Sequence, residues 1–225
     1  MNIGIISDVH SNVYGLQSVL DQLKGMDTIL CAGDLVGYYP FVNEALDLLR
    51  RKNVQCILGN HDAYLLGLLP PPENPNVISP LQYAQKHISP ENMKFLKDIG
   101  TGHREVTIDG LHVTMFHGSP WDEFEEYIFP DFSDFQKFKK IRADVVILGH
   151  THYSMVRHVE SMVIVNPGSC GQPRDWNPAA SYAVLDTSTK EVVLQRASYD
   201  VEIVCERARQ EGFPEYVVQV LQRRK

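Results

Sequence analysis

Polar side chains that can bind metal ions stand at the ends of apolar runs along the chain. Five of the nine histidines lie at such positions. If the runs are strands of a parallel sheet, their carboxyl ends bring distant side chains into one crevice. Carboxylates, an amide and imidazoles form a mixed oxygen and nitrogen donor set, which suits Mn, Fe, Zn, Co or Ni. The motifs are Asp8-x-His10, Gly33-Asp34, Gly59-Asn60-His61-Asp62, His117-Gly118 and Gly149-His150-x-His152.

This donor set is larger than one tetrahedral ion needs, but it suits two ions that share a carboxylate. Two ions about 3.5–4 Å apart can clamp the attacking and leaving oxygens of a phosphoryl displacement and lower the pKa of a bound water. A single histidine at a strand end is more often structural than a ligand, because histidine has many ordinary packing roles. The inference therefore rests on the whole set.

Strand and helix patterns alternate through the first part of the chain. Apolar runs at 3–6, 28–32 and 54–58 end in motifs, and helical spacing follows the first two runs. This alternation predicts a βαβαβ arrangement with parallel strands. From residue 103 the period shifts towards two, and the abundant hairpins indicate two sheets packed face to face with helices outside. The later strands are expected at 103–108, 111–116, 144–148, 154–159, 161–166, 181–186 and 191–197.

The stretch between residues 65 and 100 departs from this pattern. Residues 70–76, PPPENPN, predict a loop that opens an irregular region. Ser89-Pro90 predicts the start of a helix that runs to about residue 99, since Ser caps helices and Pro suits their first position. Another helix is expected at 134–141, and helical patterns close the chain. We expect one domain over residues 1–225, with 65–100 as an insertion or cap.

The composition narrows the choice of partners and location. The 225 residues include 21 Lys and Arg against 28 Asp and Glu, a net charge of −7. Such a chain is poorly suited to long nucleic acids or an anionic membrane surface, both of which attract basic proteins. No apolar stretch reaches the length of a membrane span, and no signal-peptide pattern begins the chain. The four cysteines form no CxxC pair, so we expect a cytoplasmic protein without thiolate zinc or disulfides.

In order and approximate spacing, the motifs resemble those of the calcineurin-like metallophosphoesterase superfamily. The resemblance covers most of the chain and is closest to the small prokaryotic branch. Two further stretches carry that closer likeness, Gly33-Asp34-Leu35-Val36-Gly37-Tyr38 and Asn166-Pro167-Gly168-Ser169 with Gln172-Pro173-Arg174-Asp175. The implied fold is a four-layer α/β/β/α sandwich with two mixed sheets packed face to face, in agreement with the strand pattern.

The resemblance also implies a role for each motif residue. It assigns Asp8, His10 and His152 to one metal ion and makes Asp34 the bridging ligand. It assigns a second set to the other ion, namely Asn60, His117 and His150. His61 would not be a ligand but would stabilise the phosphoryl transition state or protonate the leaving oxygen. The implied cofactors are two divalent or mixed-valence transition metal ions, chosen from Mn, Fe, Zn, Ni and Co.

One position departs from the family pattern. Protein phosphatases of this superfamily carry a second Asp three residues after the bridging one, where it orients the motif histidine. Here that position is Gly37. The partner of His61 is therefore left open, and a protein-phosphatase activity is disfavoured.

The leading hypothesis is a dinuclear metal-dependent phosphoesterase that uses a metal-bridging hydroxide. Its substrates would be small phosphate mono- or diesters, with nucleotide-type compounds among them. One alternative is a non-catalytic scaffold, since a retromer subunit of this superfamily keeps the fold but has lost part of the metal set. Another is a nuclease, although the sequence shows no basic stripe for a polymer. An oligomer is compatible with the sequence.

Several residues beside the motifs are supporting candidates. Arg174 lies in a shaped Gly- and Pro-rich loop and could bind substrate phosphate with its planar fork. Its alternative role is a structural pair with Asp175 or Asp186. Asn12 and Asp62 are expected to orient ligands by hydrogen bonds. The aromatic and acidic stretch at 121–129 either covers a sheet, lines the site rim or forms a dimer contact.

Overall fold

Two five-stranded sheets form the centre of the computed structural model, which describes residues 1–223. The first sheet has the strand order β10-β9-β1-β2-β3, and the second has β4-β5-β6-β8-β7. The strands are β1 (Asn2–Ile6), β2 (Thr28–Cys31), β3 (Gln55–Cys56), β4 (His103–Ile108), β5 (Leu111–Phe116), β6 (Val145–Ile147), β7 (Met155–Val159), β8 (Met162–Asn166), β9 (Ala180–Asp186) and β10 (Val192–Ala197).

Both sheets are mixed, as predicted. In the first sheet β1, β2 and β3 are parallel, whereas β9 is antiparallel to both β1 and β10. In the second sheet β5, β6 and β8 are parallel, and the edge strands β4 and β7 are antiparallel to their neighbours. The parallel strands of each sheet therefore end at a common edge, where their following loops can meet.

The two sheets pack face to face through alternate residues of their strands. Ile3 and Ile5 of β1 lie in the buried cluster between the sheets, together with Val113, Val145 and Val165 of the second sheet. Successive side chains of a strand point to opposite faces, so Ile6 instead joins the cluster on the outer side of the first sheet. The predicted sandwich is confirmed.

Helices cover the outer face of the first sheet. Amphipathic spacing buries one side of the first two helices, through Leu16 and Val19 in the first and Leu46 and Leu49 in the second. The helices are α1 (Val13–Gln22), α2 (Val42–Arg51), α3 (Asn60–Leu66), α4 (Pro75–His87), α5 (Pro90–Ile99), α6 (Val201–Gln210) and α7 (Glu215–Gln222). None of the helices described is long and apolar enough to cross a membrane.

The fourth layer is an irregular segment rather than a row of α-helices. Ile128 and Phe138 pack against Val146 and Ile164 on the outer face of the second sheet. The helix expected at 134–141 is a 3-10 helix at Phe135–Lys140. The stretch at 121–129 therefore covers a sheet in part, through Ile128.

The prediction of a loop over 70–76 and an irregular region beyond it is wrong after residue 74. Asn74 caps α4 by accepting a hydrogen bond from the Asn76 amide, and Pro75 occupies the first turn. Pro80 lies inside α4, although a proline there lacks the amide that the helix would use. Burial of Val77 and Leu81 against the helical side of the core offsets that loss. By contrast, α5 begins at Pro90 after the Ser89 cap, as expected.

Residues 65–100 pack their buried side chains into the same apolar cluster as α1 and α2. The description of this stretch as an insertion or cap in a single domain stays a prediction.

The loop after β8 lies against the loop after β1. The Cys170 amide donates to the Ser7 carbonyl and the Gly171 amide to the Asp8 carbonyl, each at 3.0 Å. This contact brings the Cys170 carbonyl against Gly15 of α1, where a Cβ would overlap the carbonyl oxygen. The absence of a side chain at Gly15 therefore lets the two loops meet.

The substitution Gly15→Ala should destabilise the protein even though alanine favours helices. Alanine gains about 1 kcal/mol of helix propensity over glycine, but overlap with backbone forces shifts that cost roughly 1–3 kcal/mol. We expect a net loss in the free energy of unfolding measured in urea. Exposed Gln17→Ala in the same helix is the control and should change stability by less than about 0.5 kcal/mol. A Gly15→Ala protein as stable as the wild type would contradict this packing.

Candidate metal centre

The predicted ligands meet where the parallel strands of the two sheets end. Asp8 and His10 follow β1, Asp34 follows β2, and Asn60 begins α3 just after β3. From the second sheet, His117 follows β5, while His150 and His152 follow β6. All of these side chains are buried. The convergence expected from the strand-end rule is therefore what the structure shows.

The first group of donor atoms surrounds a point beside Asp34. His10 Nε2 lies 3.0 Å from His152 Nε2 and 3.4 Å from Asp34 Oδ2. Asp8 Oδ1 lies 3.4 Å from His152 Nε2 and 4.0 Å from His10 Nε2. Donor atoms of these residues all lie within 4.8 Å of one another. This spacing is small enough for all to reach a single ion.

The second group lies on the other side of the same carboxylate. His117 Nε2 is 3.4 Å from Asp34 Oδ2 and 3.0 Å from Asn60 Oδ1. Asp34, His117 and His150 form the second set of donor atoms within 4.8 Å of one another. One oxygen, Asp34 Oδ2, is therefore equally close to an imidazole of each group, which is the arrangement of a bridging ligand.

Backbone carbonyls orient three of the imidazoles. His10 Nδ1 donates to the Val36 carbonyl at 3.2 Å, His117 Nδ1 to Ala32 at 2.7 Å and His152 Nδ1 to Gln172 at 2.6 Å. A histidine that donates from Nδ1 presents its Nε2 lone pair, and such outer contacts fix the ring of a metal-binding histidine. The three Nε2 atoms face the centre for this reason.

Among residues 1–223, two buried atoms of the centre have no hydrogen-bond partner. These are Asp8 Oδ2 and His150 Nε2. Buried polar atoms in native proteins are nearly always satisfied by a protein atom, water or ion. Both atoms are ligand types, and the oxygen and nitrogen donors around them suit a transition metal. The residues present thus fit a pair of such ions.

The backbone at the centre is strained. Five of the predicted ligands have φ between 47° and 66°, the left-handed region that non-glycine residues rarely adopt. Such residues cost on the order of 1–3 kcal/mol each and cluster at functional sites. The five are Asp8, His10, Asp34, His150 and His152.

Charge in the centre is shared among carboxylates and imidazoles. Burial raises the pKa of Asp8 to about 7. Burial also opposes the charge of Asp34, but His117, His61 and His10 together hold the pKa of Asp34 well below its ordinary value. Although burial works against its protonated form, Asp34 raises the pKa of His117 to about 9. Asp34 thus favours a proton on His117, which places positive charge next to the Asp34 carboxylate.

His61 lies beside the ligands without joining either group. Its backbone amide donates to Asp34 Oδ1 at 2.9 Å, and its ring centroid is 4.8 Å from that of His10. Burial lowers the pKa of His61, which favours the neutral ring. A Cβ at position 37 would lie 2.6 Å from His61 Nδ1, so Gly37 leaves the room that this ring occupies. Within residues 1–223 the imidazole has no hydrogen-bond partner.

Asp62 connects the loop after β2 to the start of α3. Its carboxylate accepts hydrogen bonds from the amides of Gly59 at 2.8 Å, Val36 at 3.0 Å and Leu35 at 3.1 Å. These bonds hold the backbone that follows Asp34 and tie it to the residue that precedes Asn60. Asn12 acts on the first loop, where it caps α1 and donates to the Gly171 carbonyl at 2.7 Å. Both residues thus support the predicted ligands through backbone contacts.

Arg174 lies near the centre and has neutral partners. Its guanidinium donates to Gln172 Oε1 at 3.2 and 3.3 Å and to the Tyr38 hydroxyl at 3.2 Å. The alternative in which Arg174 pairs with Asp175 or Asp186 is wrong. Asp175 instead pairs with Arg196, and Asp186 accepts hydrogen bonds from Ser188.

Tyrosines near the centre were not anticipated from the motifs. The Tyr127 ring stacks on His150 with ring centroids 3.9 Å apart, and Tyr127 is 48% exposed. The stretch at 121–129 therefore reaches the site rim as well as covering a sheet. Tyr64 contacts Asn60 four residues earlier in α3, a spacing that places two side chains on one helix face. That spacing was the available sequence signal for Tyr64.

Comparisons with known proteins show what the whole chain is similar to. A family model described as the calcineurin-like phosphoesterase superfamily domain matches residues 1–190. An uncharacterised protein of Methanocaldococcus jannaschii is 34% identical over 238 residues, covering 96% of this chain and 95% of that protein. A second protein of that organism, named a phosphodiesterase, is 27% identical over 193 residues, covering 85% and 96%. A crystal structure of a metallophosphoesterase from Sphaerobacter thermophilus has 29% identity and a TM-score of 0.83, covering 99% of both chains.

The substitution Asp62→Asn should destabilise the chain although it preserves the shape of the side chain. The carboxylate accepts from three amides, and an asparagine would turn its NH₂ group towards at least one of them. Leaving a buried donor unsatisfied costs about 1–3 kcal/mol. We expect a loss of that size in urea unfolding. Exposed Asp98→Asn in α5 is the control, and equal stability of the two variants would contradict the role of Asp62.

Proposed function

The chain belongs to the calcineurin-like phosphoesterase superfamily and is a metal-dependent phosphoesterase, and we propose that it hydrolyses small phosphate mono- or diesters, including nucleotide-type compounds. The observation that carries this proposal is the position of Asp34 Oδ2, 3.4 Å from an imidazole nitrogen of each donor group. A relative named a phosphodiesterase supports diesters as substrates.

We propose that Asp8, His10 and His152 hold one ion, that Asn60, His117 and His150 hold the other, and that Asp34 bridges them. The ions would be divalent or mixed-valence Mn, Fe, Zn, Ni or Co. When bound, such a pair supplies positive charge for phosphoryl oxygens and lowers the pKa of a water molecule. The chain contributes rigid donors, because carbonyl contacts orient three of the rings.

His61 is the proposed catalytic residue. It is next to the bridging carboxylate, and burial favours its neutral ring, which still carries one N–H. That N–H can donate to a phosphoryl or leaving oxygen in the transition state. With Gly37 in place of a carboxylate, His61 lacks the partner that would keep it protonated. This supports a role as a neutral hydrogen-bond donor.

Arg174 is the proposed substrate-binding residue. Its positive charge lies near the centre with Gln172 and Tyr38 as neutral partners, so a phosphate oxygen can pair with it directly.

The net charge of −7 disfavours long nucleic acids as substrates. We also propose that the chain is cytoplasmic, since its four cysteines are buried thiols. The single domain with a cap at 65–100 is part of the same proposal.

Removal of the bridging carboxylate should abolish activity. We expect that chelation inactivates the wild-type chain on bis(p-nitrophenyl) phosphate and p-nitrophenyl phosphate, and that Mn²⁺ restores activity. Asp34→Asn should lower kcat/KM by more than about 100-fold, because both ions lose a ligand. Metal analysis should show two ions in the wild type and fewer in the variant. Asp98→Asn is the control, and an Asp34→Asn protein with wild-type kcat/KM would refute the proposed centre.

Loss of the Arg174 guanidinium should weaken substrate binding and leave both ions in place. Hydrogen bonds to charged groups contribute about 1.5–3 kcal/mol, so Arg174→Ala should lower kcat/KM by roughly 10–100-fold, chiefly through KM. Arg196→Ala is the matched control, because it breaks the nearby pair with Asp175. Unchanged kinetics for Arg174→Ala, or a joint loss of metal and fold, would contradict the assignment.

A further inference from the structure

The side-chain amide of Asn60 can bind a metal ion through only one of its two polar atoms. The oxygen of an amide can bind a cation, whereas the NH₂ group is a donor and cannot. Asn60 Oδ1 lies 3.0 Å from His117 Nε2, on the side of the second donor group. Asn60 Nδ2 points the other way and lies 3.2 Å from the Tyr64 hydroxyl. Whatever fixes this orientation determines whether Asn60 is a ligand.

The Tyr64 hydroxyl group already donates its hydrogen bond to another residue. It donates to Glu125 Oε1 at 2.6 Å, a short bond of the kind made with a carboxylate. A hydroxyl has one proton, so towards Asn60 the oxygen of Tyr64 can only accept. The hydrogen bonds therefore have a fixed direction, from Asn60 Nδ2 to Tyr64 and from Tyr64 to Glu125.

The two supporting residues are themselves held in place. Tyr64 lies one helical turn after Asn60 in α3, and its ring is buried in the core. The Glu125 amide donates to Asp122 Oδ1 at 3.0 Å, within a turn of the segment that follows β5.

We infer that Tyr64 and Glu125 are positioning residues that hold the Asn60 amide with its oxygen towards the second metal position. The inference rests on the proposed function. Without the Tyr64 acceptor, the Asn60 NH₂ group loses its partner and the amide can rotate. One ion would then lose a ligand, while the group of Asp8, His10 and His152 would be unaffected.

Metal titration of the full-length chain tests this inference. After chelation, the protein is titrated with Mn²⁺ by calorimetry, and electron paramagnetic resonance detects the spin-coupled pair. Loss of an outer hydrogen bond to a ligand typically lowers metal affinity 10–100-fold. We expect Tyr64→Phe to weaken one of two Mn²⁺ sites by that factor, with the other site unchanged and the coupled signal reduced. Exposed Tyr14→Phe in α1 is the matched control and should bind both ions normally.

Substitutions of Glu125 separate its hydrogen bond from its charge. Glu125→Gln keeps an oxygen acceptor and should bind both ions nearly as tightly as the wild type, whereas Glu125→Leu should weaken the same site as Tyr64→Phe. Equal weakening by the two Glu125 variants, or normal binding by Tyr64→Phe, would overturn this inference but leave the proposed function standing. A wild-type chain that binds fewer than two ions would overturn the proposed function and the inference with it.

Discussion

Buried negative charge is the constraint on which the centre depends. Asp8 and Asp34 are both buried and near one another, and like charges in such surroundings cannot both ionise without nearby positive charge. In the metal-free chain the imidazoles meet this need, because Asp34 favours a proton on His117. Divalent ions can take the place of that proton and bring more positive charge. They can also bind Asp8 Oδ2 and His150 Nε2, which have no hydrogen-bond partner within residues 1–223. The arrangement of the polar atoms thus favours a cation over an empty or purely hydrogen-bonded core.

The surrounding fold supplies the rigidity that this arrangement needs. Left-handed backbone at Asp34 and His152 is unfavourable in isolation, so neighbouring segments must hold it. Asp62 holds the loop after β2 through the amides of Leu35 and Val36 and joins it to Gly59 before α3, while the Gln172 carbonyl fixes the His152 ring. Most of these contacts use backbone atoms, which every residue possesses. The loops at the strand ends of the two sheets therefore hold one another in place around the centre.

Local patterns in the sequence were sufficient for the strands and the donor set. The alternation of apolar runs with His, Asp and Asn motifs predicted the parallel strands and the place where the candidate ligands meet, and the later hairpins predicted a second sheet. Contacts between distant segments were not predictable in the same way. The loop predicted at 70–76 was expected to open an irregular region, but α4 begins at Pro75 and buries Val77 and Leu81 in the core. Asp175 is not the partner of Arg174 because it pairs with Arg196, which lies twenty-one residues away in the chain.

The difference between Arg174 and Arg196 explains how an acidic protein can favour anionic substrates. Arg196 is paired with Asp175, so its charge is largely neutralised before any ligand arrives. Arg174, a neighbour of Asp175 in the chain, is held instead by the neutral groups of Gln172 and Tyr38 and keeps its charge near the centre. Gln172 Nε2 donates in turn to the Tyr39 hydroxyl, which fixes the amide so that its oxygen faces Arg174. A local, oriented positive charge can attract one phosphate group while the net charge of −7 disfavours a long polyanion. The proposed selectivity for small phosphoesters rests on this placement of one arginine within an acidic chain.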